Sequence, residues 1–183
     1  MPPLIFGCAR KRFENRLSLC MTQIVAYPDA MTDTLNHAPD LNQRPPRSCR
    51  VRLGGYVLLA RIIDKGRAEL AGTAGEFKYN NPIDHHWFNF TGITPEELKA
   101  ELASGKGDGE ILEWVQQNAP DKRQPWEIRQ WSEYHNERGP DGDVETLEFF
   151  AEKVGEFSTT REDVITWFDF LDLDDHVTFG GKA

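Results

Sequence analysis

The 183-residue chain is poor in cysteine, and its three, Cys8, Cys20 and Cys49, all lie before residue 50. An odd number crowded at one end provides no disulfide framework, so a reducing, cytoplasmic home is the expectation. No run of about eighteen apolar residues exists, which argues against a membrane-spanning helix. Basic residues are also scarce: 21 Lys and Arg against 30 Asp and Glu leave a formal charge of -9, a poor match for nucleic acid or an anionic membrane surface. Internal repeats and low-complexity tracts are missing. Strand-like patterning is confined to Glu76–Tyr79 and Val177–Phe179, which allows at most one tiny two-stranded element.

What remains is a composition that can bury a core, 39% apolar and 11% aromatic, in a length suited to one domain. The first thirty residues differ, with Arg10, Lys11, Arg12 and Arg16 against Glu14 and Asp29. Residues 1–36 are therefore expected to be a poorly ordered tail, an organellar leader or a mis-called start, and residues 37–183 a single domain. A lead-in, His37 to Gly55, carries Pro39, Pro45 and Pro46, which forbid a regular helix, and offers Arg44, Arg47, Arg50 and Arg52 to anions. From Pro140 to the end there are twelve acids and three bases. A basic strap and an acidic end predict ionic pairing, either within the chain or head to tail in a homodimer.

The middle reads as helices, about six in an all-α, bundle-like domain. Asn81-Pro82-Ile83-Asp84 starts one that Gly92 can stop, and Thr94-Pro95-Glu96-Glu97 is a capping box. Asp108 and Pro125 open two more. Val144, Leu147, Ala151 and Val154 recur at steps of three and four, predicting one apolar face. Thr160-Arg161-Glu162-Asp163 is expected to open the last helix, with Val164, Trp167, Phe168 and Leu171 inward.

Tyr56–Ala71 is the most informative stretch. Leu58, Leu59, Ile62, Ile63, Gly66 and Leu70 form a broad apolar arc, while Val57, Ala60, Ala68 and Ala71 occupy the other side between Arg61, Asp64 and Arg67. Small residues on the second face predict a central helix covered on both sides. Charges in such a place need partners, because an unpaired buried charge costs several kcal/mol. Asp64 can satisfy one or two of Arg61, Lys65 and Arg67, which leaves a surplus of positive charge. Two readings follow: an anion site for a carboxylate or phosphate, or a closed ionic network completed by acids from the carboxy-terminal helices.

Together with Leu41-Asn42-Gln43-Arg44-Pro45-Pro46-Arg47-Ser48, Leu53-Gly54-Gly55-Tyr56, Gly107-Asp108-Gly109-Glu110-Ile111 and the ending from Leu171 to Ala183, this helix resembles the bacterial family grouped as domain of unknown function 5069. The resemblance runs from about Pro39 to Ala183. It implies a single-domain, cytoplasmic, bacterial protein and carries over no substrate, cofactor or catalytic residue.

Other constellations are weaker. His85 and His86 are adjacent, so on a helix their side chains diverge by about 100° and cannot share an ion. Asp169, Asp172, Asp174 and Asp175 lack the alternating ligands and central Gly of a calcium loop. No metal and no cofactor are expected. Cys49, among Arg47, Arg50 and Arg52, is expected to have a lowered thiol pKa. Lys106-Gly107-Asp108-Gly109 lacks the order of a phosphate loop. Two functions follow. One is a non-catalytic protein that engages a small anionic ligand or an acidic partner through Arg61, Lys65 and Arg67, with Arg52 beside them and Asp64 orienting. The other is an enzyme on a phosphorylated or carboxylated metabolite, with Asp64 or His85 as acid or base.

Overall fold

The computed structural model describes residues 38–183, so the expectations for residues 1–36, and for His37, lie outside the described residues. Seven helices follow one another among the described residues: α1 Leu59–Ala71, α2 Asp84–Thr91, α3 Pro95–Ala103, α4 Asp108–Asn118, α5 Pro125–Glu137, α6 Val144–Phe157 and α7 Trp167–Thr178. The class is all-α, with one helix more than expected, because each segment keeps its own start and stop. The Thr94 capping box closes in full around Glu97, and Gly92 ends α2 in the left-handed conformation at φ 73°. Neither strand-like stretch pairs: Val177 and Thr178 belong to the last turn of α7, and residues 76–79 are turn and irregular backbone. The only bridge among the described residues joins Leu53 to Tyr56.

That bridge moves the start of α1. Leu53 and Tyr56 exchange backbone hydrogen bonds of 3.0 and 3.1 Å across Gly54-Gly55, and the Leu58 amide donates to the Cys49 carbonyl at 2.9 Å. Leu58 is left at φ 68° and ψ -39°, a strained backbone conformation costing about 1–3 kcal/mol that full burial of its side chain offsets. The helix therefore begins at Leu59 rather than Tyr56. From there it runs through the interior as expected: nine of its thirteen residues are buried.

Around α1 the core gathers Trp87 and Phe88 of α2, Leu98 and Leu102 of α3, Ile111 and Val115 of α4, and Phe168 of α7. Gly66 faces Leu102 of α3 and Tyr79. A Cβ there would lie 2.5 Å from Leu102 Cδ1 and 3.1 Å from the Tyr79 ring, so the α1–α3 packing requires the missing side chain.

A smaller cluster of Phe150, Val164 and Leu173 joins α6 to α7. Here two expectations are corrected. Val144 and Leu147 of α6 are exposed, at 69% and 46%, while Phe150 is buried. The inward edge is Phe150, Val154 and Phe157, since α6 meets the body through α7 and turns its aromatics toward Trp167 and Phe170. The last helix starts at Trp167, not Thr160. Thr166 and Asp169 form the capping box that wins, and Arg161 is drawn into a side-chain pair with Asp163 at 2.6 Å.

Candidate functional site

Burying α1 places Arg61, Asp64 and Lys65 away from water, and each finds a protein partner. Arg61 donates to both oxygens of Asp175 in α7, at 2.5 and 3.0 Å, and also to the Arg47 carbonyl at 3.2 Å. Lys65 Nζ sits 2.7 Å from both oxygens of Asp84 at the start of α2. Asp64 accepts from the Arg47 backbone amide and Nε at 2.9 Å, and from its Nη2 at 2.8 Å. Arg47 then reaches Asp108 of α4 at 2.6 Å, which also receives Arg67 at 2.6 Å. Four cations, Arg47, Arg61, Lys65 and Arg67, meet four carboxylates, Asp64, Asp84, Asp108 and Asp175.

The surplus of positive charge expected on this helix is thus absent from the network. Acids from α2, α4 and α7 balance it. Titration behaviour follows the same geometry. Burial pulls Arg47 down, but its hydrogen bonds to Asp64 and Asp108 outweigh that and hold it above the ordinary arginine value. Burial raises the Asp175 carboxyl against the pull of Arg61. Lys65 is lowered by burial despite Asp84. Asp108, though burial alone would raise it, is held down by Arg47 and Arg67.

The basic lead-in forms the intramolecular half of the expected pairing. Arg50 bonds to Asp169 and lies 3.4 Å from Asp172, and Arg52 pairs with Glu133 of α5 at 3.1 Å. Cys49 departs from its expected state. It is fully buried, and loss of hydration pushes its thiol up to about 12 in spite of Arg61 and Lys65; the neighbouring arginines point to carboxylates instead. His85 is exposed, its ring edge-on to Phe88. His86 and His135 come together across α2 and α5 with ring centroids 4.8 Å apart, and Arg138 contacts His86 Nε2 at 3.0 Å. No group of three His, Cys, Asp or Glu suited to a metal forms among the described residues.

Of Arg52, Arg61, Asp64, Lys65, Arg67 and His85, Arg52 lines a sizeable concavity. This cleft of about 480 Å³ has the Gly54-Gly55 turn and Tyr56 on one side and the α4–α5 connection, with Lys122, Arg123 and Arg129, on the other. The turn needs glycine at its first position, since φ is 61° and a Cβ would meet Leu112 Cδ1 at 2.3 Å. Neither glycine amide donates to a protein acceptor among the described residues. Arg123 is fixed by the Phe90 carbonyl at 2.9 Å and lies over the Phe90 ring at 4.7 Å. Lys122 caps the end of α4 through the carbonyls of Gln116 and Gln117. Arg129 is exposed and makes no ion pair among the described residues. Asp121 is the one acid in the lining. Sequence reasoning missed Lys122, Arg123 and Arg129; a basic run around Pro125 was visible, but only the fold sets it against Gly54-Gly55.

These observations define an all-helical domain organised around a buried ionic helix, with a cationic cleft beside it. The chain belongs to the family described as a domain of unknown function (DUF5069), whose model matches residues 43–177, a span that holds every residue of the network and of the cleft. No curated protein matches the chain at a significant level. No helix among the described residues is long and apolar enough to cross a membrane.

Proposed function

We propose that the protein binds a small anionic ligand, a phosphate- or carboxylate-bearing molecule, in the cleft between the Gly54-Gly55 turn and the start of α5, with Arg52 and Arg129 as the direct ligands. The observation that carries this reading is the local reversal of charge. In a chain of net charge -9, one concavity is lined by four cationic side chains and a single acid. Guanidinium forks match carboxylate and phosphate oxygens, and unpaired backbone amides at a glycine turn add neutral donors. Arg123 and Lys122, already anchored, supply fixed positive charge. Arg61, Asp64, Lys65 and Arg67 take no part in the cleft lining; with Arg47, Asp84, Asp108 and Asp175 they form a charge-balanced network. Nothing favours the enzyme reading over this one, because Asp64 has both oxygens engaged and His85 stands apart from the cleft lining.

The test is a thermal-shift and calorimetric titration with pyrophosphate and citrate. A ligand at a hundred times its Kd adds about 2.7 kcal/mol to native stability, which is readily seen as a raised Tm. Arg52→Ala and Arg129→Ala should each weaken binding about tenfold with little change in the unliganded Tm. Equal shifts in wild type and both variants would remove the cleft from consideration.

A further inference from the structure

A second concavity has the opposite chemistry. It has a volume of about 420 Å³ and forms where the lead-in (Leu41), the turn after α1 (Glu76, Phe77) and the end of α7 (Asp174, Thr178, Phe179) meet. Two of its walls are aromatic. The Phe77 and Phe179 rings lie 12° from parallel with centroids 6.2 Å apart. Phe77 already takes a cation, the Arg61 guanidinium, 5.5 Å from its centroid, and that charge is cancelled by Asp175.

No basic side chain lines the cavity, and neither Glu76 nor Asp174 enters an ion pair among the described residues. Asp174 is held in place by the Thr178 hydroxyl at 3.1 Å. Asp174, Thr178 and Phe179 also belong to the carbonyl end of α7, where the helix dipole favours positive charge.

Aromatic side chains, two uncompensated carboxylates and a helix carboxy terminus all select the same partner. Neutral apolar ligands gain nothing from the acids, and anions are repelled by them. Metal ions are disfavoured by the two phenyl walls, which cannot coordinate. A cation with an apolar coat satisfies every surface at once.

We propose that this concavity binds a small organic cation, an alkylammonium head group seated against Phe77 and Phe179 with Glu76 and Asp174 as its counter-charges. The site is independent of the anion cleft, whose lining shares no residue with it.

The experiment is an NMR titration of the full chain with choline and, separately, with 3,3-dimethylbutan-1-ol, its neutral carbon isostere. Choline should produce saturable shifts in the amides of Gly75–Phe77 and Thr178–Phe179. The isostere should bind at least about threefold more weakly, the lower range expected for a cation on aromatic faces. Glu76→Gln, an exposed change that leaves packing intact, and Asp174→Asn should each weaken choline about two- to fivefold, and Phe179→Leu about threefold or more. Arg52→Ala should leave the titration as it is in wild type. Equal affinity for choline and the alcohol, choline shifts mapping elsewhere, or indifference to both carboxamide variants would overturn the proposal.

Discussion

Lys65 and Asp84 illustrate what a buried charge demands. The pair is almost without solvent contact, with side-chain exposures of 1% and 0%. Asp84 also accepts from the Asn81 amide at 3.2 Å, so its remaining lone pairs are not wasted. Removing one partner leaves the other uncompensated in low dielectric, at a cost of about 3–5 kcal/mol, whereas replacing both by apolar groups is often nearly neutral. Lys65→Met alone should therefore lower unfolding free energy by about 3–5 kcal/mol, and adding Asp84→Leu should recover a large part of it. Urea denaturation of the two variants measures this directly. Additive losses would show that the carboxylate is held by its bond to the Asn81 amide and not by the lysine. The demand for partners was legible from Arg61, Lys65 and Arg67 sharing a helix with small residues. Which acids answer was not, because Asp84, Asp108 and Asp175 lie at separations of 19, 41 and 114 residues from the bases they meet.

At the scale of elements, the packing of α1 turns on a glycine in its apolar arc. Gly66 costs about 1 kcal/mol relative to alanine in an open helix, yet here a methyl group would press on Leu102 and Tyr79. Gly66→Ala should destabilise the protein by about 1–2 kcal/mol, since overpacking outweighs the gain in propensity. In a Leu102→Ala background the same change should become neutral or stabilising, which thermal unfolding of the four chains resolves. Caps with a unique solution, such as Thr94 with Glu97, could be read directly. Competing caps could not. Thr160 and Thr166 both stand three residues before an Asp, and the choice falls to Thr166 because Arg50, from the lead-in, holds its Asp169. The face of α6 was misjudged for a related reason: Val144 and Phe150 both fit a helical stripe, and only the position of α7 chooses between them.

At the scale of the molecule, pH acts where α2 meets α5. Burial, with His86 and Arg138 adding to it, lowers the His135 pKa from 6.5 to about 4; His86 is lowered too, by burial first and then Arg138. The unfolded chain takes up a proton at His135 near 6.5 and the native protein only near 4. Between those values the unfolded state binds more protons, so stability falls as pH drops. The loss is on the order of 1–2 kcal/mol once solvent screening on the His86 side is allowed for. His135→Asn should flatten the pH dependence of the urea midpoint across that window. Parallel curves for variant and wild type would clear His135 of the effect.

Local physics in the chain by itself determined that the protein is all-helical, where most helices start, and that one helix with small residues on its far side must run through the core. Those outcomes follow from periodicity and capping over a few neighbouring residues. Only the tertiary structure decided that the three cations of that helix are neutralised by three distant carboxylates, Asp84, Asp108 and Asp175, that Cys49 is sealed and its thiol raised, and that Arg52 faces a basic turn some seventy residues away. Long-range pairing of charge is chosen by whichever acid the packing brings within about 3 Å, and no local pattern encodes that distance.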